Sequence, residues 1–108
     1  MLTINEVIKT VTKERIAPIA VPIEATCLVN INDESVMVIG GNTYDGGCVC
    51  LATVYCYNLR SKTWVDDLPE LNVARKSAGG CFINGHAYVV AGFSEGKVIS
   101  SIERLALP

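Results

Sequence analysis

Gly41 and Gly92 each follow a run of apolar residues, and they stand 51 positions apart. Pro18 and Pro69 keep the same spacing, in the contexts Ala17-Pro18-Ile19 and Leu68-Pro69-Glu70. In this register Val38-Ile39 falls on Val89-Val90. A repeat of this length constrains the fold strongly. Each unit is one supersecondary structure that cannot bury its apolar face alone, so neighbouring units must stack on one another.

The content of each unit is strand-like. Residues 26–31, 35–39, 53–59 and 63–65 are short runs rich in β-branched and aromatic types, separated by the turn formers Asn32-Asp33 and Arg60-Ser61-Lys62. The order resumes with 79–83, the hairpin signal Asn84-Gly85, then 86–91 and 99–105. Residues 6–15 form the one helix candidate, and Thr10, Val11 and Thr12 weaken it. The pattern predicts an all-β chain of four-stranded antiparallel sheets arranged as propeller blades. Three segments are expected: 1–24, the degenerate end of a preceding blade or an N-terminal extension; 25–75, a complete repeat; and 76–108, a partial one.

Composition narrows the classes of function. Half of the 108 residues are apolar and 19% are charged, which is too hydrophobic for a disordered chain. So short a chain has much surface for its volume, and the apolar content implies cover from something outside it. The net charge is −2 and the basic residues are scattered, so no basic face for nucleic acid is expected. The apolar stretch 16–23 is broken by Pro18 and Pro22 and is too short to span a membrane. Five cysteines at irregular spacing make a poor disulfide framework and point to free thiols in a reducing, cytoplasmic setting.

The motif residues resemble the kelch repeat. Its pattern appears as Val36-Met37-Val38-Ile39-Gly40-Gly41, then Tyr57, then Trp64 seven positions on, then Leu68-Pro69 and Arg75. A second copy supplies Gly79-Gly80-Cys81-Phe82, Asn84-Gly85, Tyr88-Val89-Val90-Ala91-Gly92 and residues 101–105, with Ala91 in place of the first glycine. Before residue 25 the likeness is weak: Lys13 stands where Trp64 would fall and Glu24 where Arg75 would. The resemblance implies a kelch-type β-propeller of which this chain holds about two blades, an incomplete ring. A minimal ring needs on the order of 200 residues at about 50 per blade. Either other copies or further blades are then needed to close it.

Kelch propellers bind partners through loops between the second and third strands and between blades. Carried over, these are 42–50, 93–98 and 66–77. Within them Arg75, Ser77, Asn42, Tyr44, Phe93 and Ser94 are the expected partner contacts, with bracing of the blade junction as the alternative role of Arg75. Gly40, Gly41, Tyr57, Trp64 and Gly92 are expected to be structural. Cys48-Val49-Cys50 lacks a second ligand pair, so no metal is expected and no cofactor. Cys27, Cys56 and Cys81 read as small buried hydrophobes within strands. His86, the sole histidine, flanks a turn.

The expected function is therefore a protein-interaction module and not an enzyme. By resemblance to kelch proteins with a BTB domain, this implies substrate recognition for a cullin-type ubiquitin ligase, or actin binding. The alternatives are an enzyme on a kelch scaffold, of the sugar-oxidase or sialic-acid mutarotase kind, and a propeller fragment without a function of its own. A copper site wants several imidazoles, and one histidine does not supply them.

Overall fold

The computed structural model describes residues 13–44 and 47–106. Residues 1–12 of the expected first segment, Asp45-Gly46 of the expected loop 42–50, and residues 107–108 lie outside it. Among the described residues, seven strands form two antiparallel sheets: β1 (Cys27–Asn32), β2 (Ser35–Thr43), β3 (Val49–Asn58) and β4 (Thr63–Val65) in one, and β5 (Gly79–Ile83), β6 (His86–Ser94) and β7 (Lys97–Ala106) in the other. Within each sheet, strand order follows chain order. Each is thus an up-and-down meander, the form of a propeller blade.

The core lies between the two blades. Period-2 alternation sends Cys27, Val29, Met37, Ile39 and Val54 to one face of the first sheet, where they meet Ala87 and Val89 of the second. Leu71, on the connector between blades, is buried with them. The other face of the first sheet carries Tyr57 and Trp64, whose rings pack at 5.0 Å between centroids. Trp64 donates its indole N–H to the Ala17 carbonyl at 2.8 Å, which holds the segment before β1 against this face. The Tyr57 hydroxyl is buried without a hydrogen-bond partner among the described residues.

The diglycine does not end the strand, contrary to the sequence expectation. Gly40 and Gly41 adopt positive φ (62° and 114°), and the ladder to β3 shifts register between Ile39 and Gly41. This is a β-bulge, and pairing resumes through Asn42↔Cys50 and Thr43↔Val49. Both positions also need a bare Cα: a Cβ on Gly40 would stand 2.5 Å from the Arg75 carbonyl oxygen, and one on Gly41 2.9 Å from that of Glu24. Ala91 and Gly92 repeat the bulge in β6, so Ala91 holds φ 57° despite its Cβ. The loop 42–50 accordingly contracts to 44–48, and the loop 93–98 to the turn Glu95-Gly96. Strands β3 and β7 begin earlier than the apolar runs suggest, because the far side of each bulge is still paired.

The repeat has two spacings. The ladders superpose Ile39 on Val90 at 51 positions, but Cys27 on Gly79 at 52. The extra residue sits at the β1 irregularity between Asn30 and Asn32, which β5 lacks. Ahead of β1 the spacing is therefore 52, which superposes Glu24 on Lys76 and Ala25 on Ser77. Each of those pairs makes the same backbone arrangement: Glu24 bridges Asn42, Lys76 bridges Phe93, and Ala25 and Ser77 share positive φ. The counterpart of Arg75 is Ile23, not Glu24.

Candidate functional site

The bulges carry the two hairpin tips to one rim of the molecule, side by side. Glu24 and Asn42 exchange two backbone hydrogen bonds of 2.9 Å, and Lys76 and Phe93 exchange an equivalent pair. Each connector thereby adds a short strand beside a hairpin tip and fixes it. Ser77 donates its N–H to the Ala25 carbonyl at 2.8 Å, which ties the two connectors together. Between the hairpins lies a cleft of about 360 Å³ lined by Asn42, Cys48, Cys50, Lys76, Phe93, Glu95 and Gly96. A neighbouring hollow of about 530 Å³ lies beside the first hairpin, between Tyr44 and Pro22-Ile23.

The expected contact residues divide into two groups. Tyr44 and Phe93 are exposed, at 63% and 42%, and Ser77 is exposed beside them. Ser94 is half-buried at the end of β6. Asn42 is instead a wall of the rim: it is 1% exposed, its amide reaches the Glu24 carboxylate at 3.5 Å, and its carbonyl oxygen accepts from the Cys48 thiol at 3.5 Å. A hydrogen bond to Glu24, together with that carboxylate's negative charge, pushes the Tyr44 phenol above its ordinary range.

Arg75 does not reach the surface. Its side chain is wholly buried between the blades and donates to the carbonyls of Ala91 (3.2 Å) and Ser101 (2.9 Å), the Ser101 hydroxyl (2.9 Å) and the Glu103 carboxylate (2.8 Å). Glu103 also accepts from the backbone N–H groups of Asn72 and Val73 at 2.6 and 2.9 Å. The guanidinium fork therefore clamps the connector to the second blade, and the bracing alternative replaces a partner contact. The ladder places Thr53 in the first blade where Ser101 stands in the second. With Ile23 in place of the arginine, the Thr53 hydroxyl is buried without a hydrogen-bond partner among the described residues.

Sequence reasoning passed over Lys76 and Glu95 in the cleft, since no motif marks either. It also missed Glu103, 28 positions from the arginine it holds. Cys48 and Cys50, which make no metal site by sequence, both line the cleft, and the Cys50 thiol lies 4.0 Å from the Phe93 carbonyl. Cys27 is buried and Cys56 half-buried, as small strand hydrophobes should be, whereas Cys81 is exposed. Cys81 lies on the face of the second blade that points away from the first. His86 keeps to its turn, with Nδ1 3.0 Å from the Asn84 carbonyl.

Antiparallel meanders stacked face to face, bulged at Gly40-Gly41 and at Ala91-Gly92 and linked by a braced connector, define blades of a β-propeller. Residues 25–66 match the family model described as the Kelch motif. The chain is 31% identical over 78 residues to the Kelch repeat and BTB domain-containing protein 1 of cowpox virus, covering 70% of this chain and 14% of that relative. It is 36% identical over 64 residues to the Kelch repeat protein M-T9 of myxoma virus, covering 58% and 12%. The solved structure of YjhT shares the fold with a TM-score of 0.71 at 15% identity, over 85% of this chain and 31% of that one. This chain belongs to the kelch-repeat family. It spans about a seventh of the length of the viral relatives it matches.

Proposed function

We propose that this chain is a protein-binding module whose contact surface is the rim formed by the β2–β3 and β6–β7 hairpins. One observation carries the reading: the two tips are fixed by paired backbone hydrogen bonds and enclose a cleft edged by exposed Phe93, with exposed Tyr44 on the same rim. Fixed aromatic side chains supply contact area at little cost in conformational entropy, and Tyr is among the residue types that dominate binding hot spots. Lys76 and Glu95 place both signs of charge beside the cleft, which suits a peptide or protein surface of mixed polarity.

The narrower role we favour is recognition of a protein substrate for a cullin-type ubiquitin ligase. The viral relatives whose names include a BTB domain favour it over actin binding. We read the module as non-catalytic, a reading supported by its one histidine flanking a turn, with Nδ1 3.0 Å from the Asn84 carbonyl. All five thiols are free, which fits a reducing, cytoplasmic setting. Among the described residues no helix is long and apolar enough to cross a membrane.

The test is a proximity-labelling and pull-down comparison between the unaltered chain and a Tyr44→Ala/Phe93→Ala variant. Loss of one or more specific proteins from the variant, with unfolding unchanged, is expected. An identical set of captured proteins would refute the rim as the contact surface, and turnover of a sugar by the chain would refute the non-catalytic reading.

A further inference from the structure

The two walls of the rim cleft differ in chemistry. Cys48, Cys50 and Asn42 line it from the first hairpin, and Lys76 and the turn Glu95-Gly96 line it from the other side. Cys50 lies in β3 and Cys48 one residue before it. Residues two apart in extended chain share a face. Asn42 pairs with Cys50 across the hairpin, so its side chain joins theirs. One wall therefore carries two neighbouring thiols, both free.

The Cys48 thiol rests on the Asn42 side-chain oxygen at 3.5 Å and the Cys50 thiol on the Phe93 carbonyl at 4.0 Å, and S–H is a weak donor in both contacts. Cys48 is exposed and Cys50 half-buried, so a small ion reaches both from solvent. Cα atoms two positions apart in extended chain lie at most about 7 Å apart. A linear sulfur–metal–sulfur unit spans about 4.6 Å, twice a metal–sulfur bond of about 2.3 Å. Two side chains leaning toward each other from one face close that difference. Among the described residues no third Cys, His, Asp or Glu completes a group with them. Structural zinc takes four ligands, and two thiols leave it half-coordinated. Soft copper(I) is instead selected by thiolate, and two sulfurs in a line satisfy it.

We propose that Cys48 and Cys50 form a two-coordinate site for a soft monovalent cation of the copper(I) class in the rim cleft. On loading, two S–H bonds break, both protons leave to solvent, and two sulfur–copper bonds form without a change of oxidation state. The loaded pair carries a single negative charge, which the Lys76 ammonium in the same lining offsets. The Glu95 carboxylate, also in the lining, is a hard donor that suits a soft ion poorly. Metal capture needs only this dithiol wall, so the proposal stands apart from the binding role above.

Anaerobic competition of the full, reduced chain against the coloured bathocuproine complex of copper(I) tests it. One equivalent of copper is expected to move to the unaltered chain. Cys48→Ser and Cys50→Ser should each abolish the transfer, and Cys81→Ser, at an exposed thiol outside the cleft, should leave it intact. X-ray absorption at the copper edge should show two sulfur neighbours and no others. The site is overturned if the unaltered chain takes no copper, if transfer survives Cys48→Ser or is lost with Cys81→Ser, or if the edge shows nitrogen or a third sulfur. Should Cys50→Ser unfold the chain, as read by Trp64 fluorescence, the unaltered chain still decides. Copper(I) should shield Cys48 and Cys50 together from N-ethylmaleimide, by mass spectrometry of peptides, with Cys81 still labelled. Shielding of one thiol of the pair alone, or of Cys81 to the same extent, would overturn it equally.

Discussion

Replacing Arg75 with alanine should remove a large part of the stability of this chain. The change removes a wholly buried cation and strands its acceptors: the carbonyls of Val73, Ala91 and Ser101, the Ser101 hydroxyl and the Glu103 carboxylate, whose side chain is 11% exposed. Breaking a buried pair from one side costs about 3–5 kcal/mol, since the remaining charge stays buried without its counter-ion. Asn72 and Val73 still donate to Glu103, which places the expected loss toward the lower end, about 3 kcal/mol. A chain of this size is stable by roughly 5–15 kcal/mol, so the loss is a large fraction of the total. Urea unfolding followed by the fluorescence of the single Trp64 measures it. Arg75→Ala/Glu103→Ala should be less damaging than the sum of the single changes, because it strands no charge. A loss below about 1 kcal/mol for Arg75→Ala would put the guanidinium in the exposed class of ion pairs and refute the brace.

Three further outcomes follow from the asymmetry between blades. Ala91→Gly should relieve the left-handed backbone at φ 57° and stabilise by about 1 kcal/mol, a rise of about 5 °C in Tm by calorimetry, while Gly40→Ala should destabilise by at least as much. Thr53→Val should be neutral or stabilising in urea unfolding, as it removes a buried hydroxyl without a partner. Ser101→Ala, by contrast, should cost about 1–2 kcal/mol, as it removes the hydroxyl that Arg75 holds. Burial pushes the Cys27 and Cys56 thiols up, so at mildly alkaline pH both carry less thiolate and should alkylate more slowly than exposed Cys48, read by mass spectrometry of peptides.

The alternation of apolar residues and the Asn84-Gly85 turn made the strands and their order legible, because a strand's inner and outer faces are written at every second residue. The 51-residue recurrence of glycine-ended runs made the stacking of similar units legible for the same local reason. What glycines do at the end of such a run was not legible. Turn and bulge both ask for positive φ, and only the cross-strand pairing of Asn42 with Cys50 separates them. The one-residue insertion in β1 was also hidden, since a bulge is a relation between two strands; it moved the counterpart of Arg75 from Glu24 to Ile23.

By itself, then, the sequence determined a β meander repeated at a near-constant interval, its apolar faces and its anchoring aromatics, because these depend on neighbours a few positions away. Only the tertiary structure decided that Arg75 is buried rather than presented, and that Asn42 is a wall and Phe93 an edge. Those outcomes depend on which residues far apart in the chain come within bonding distance, and Glu103, which holds Arg75, lies a whole blade away.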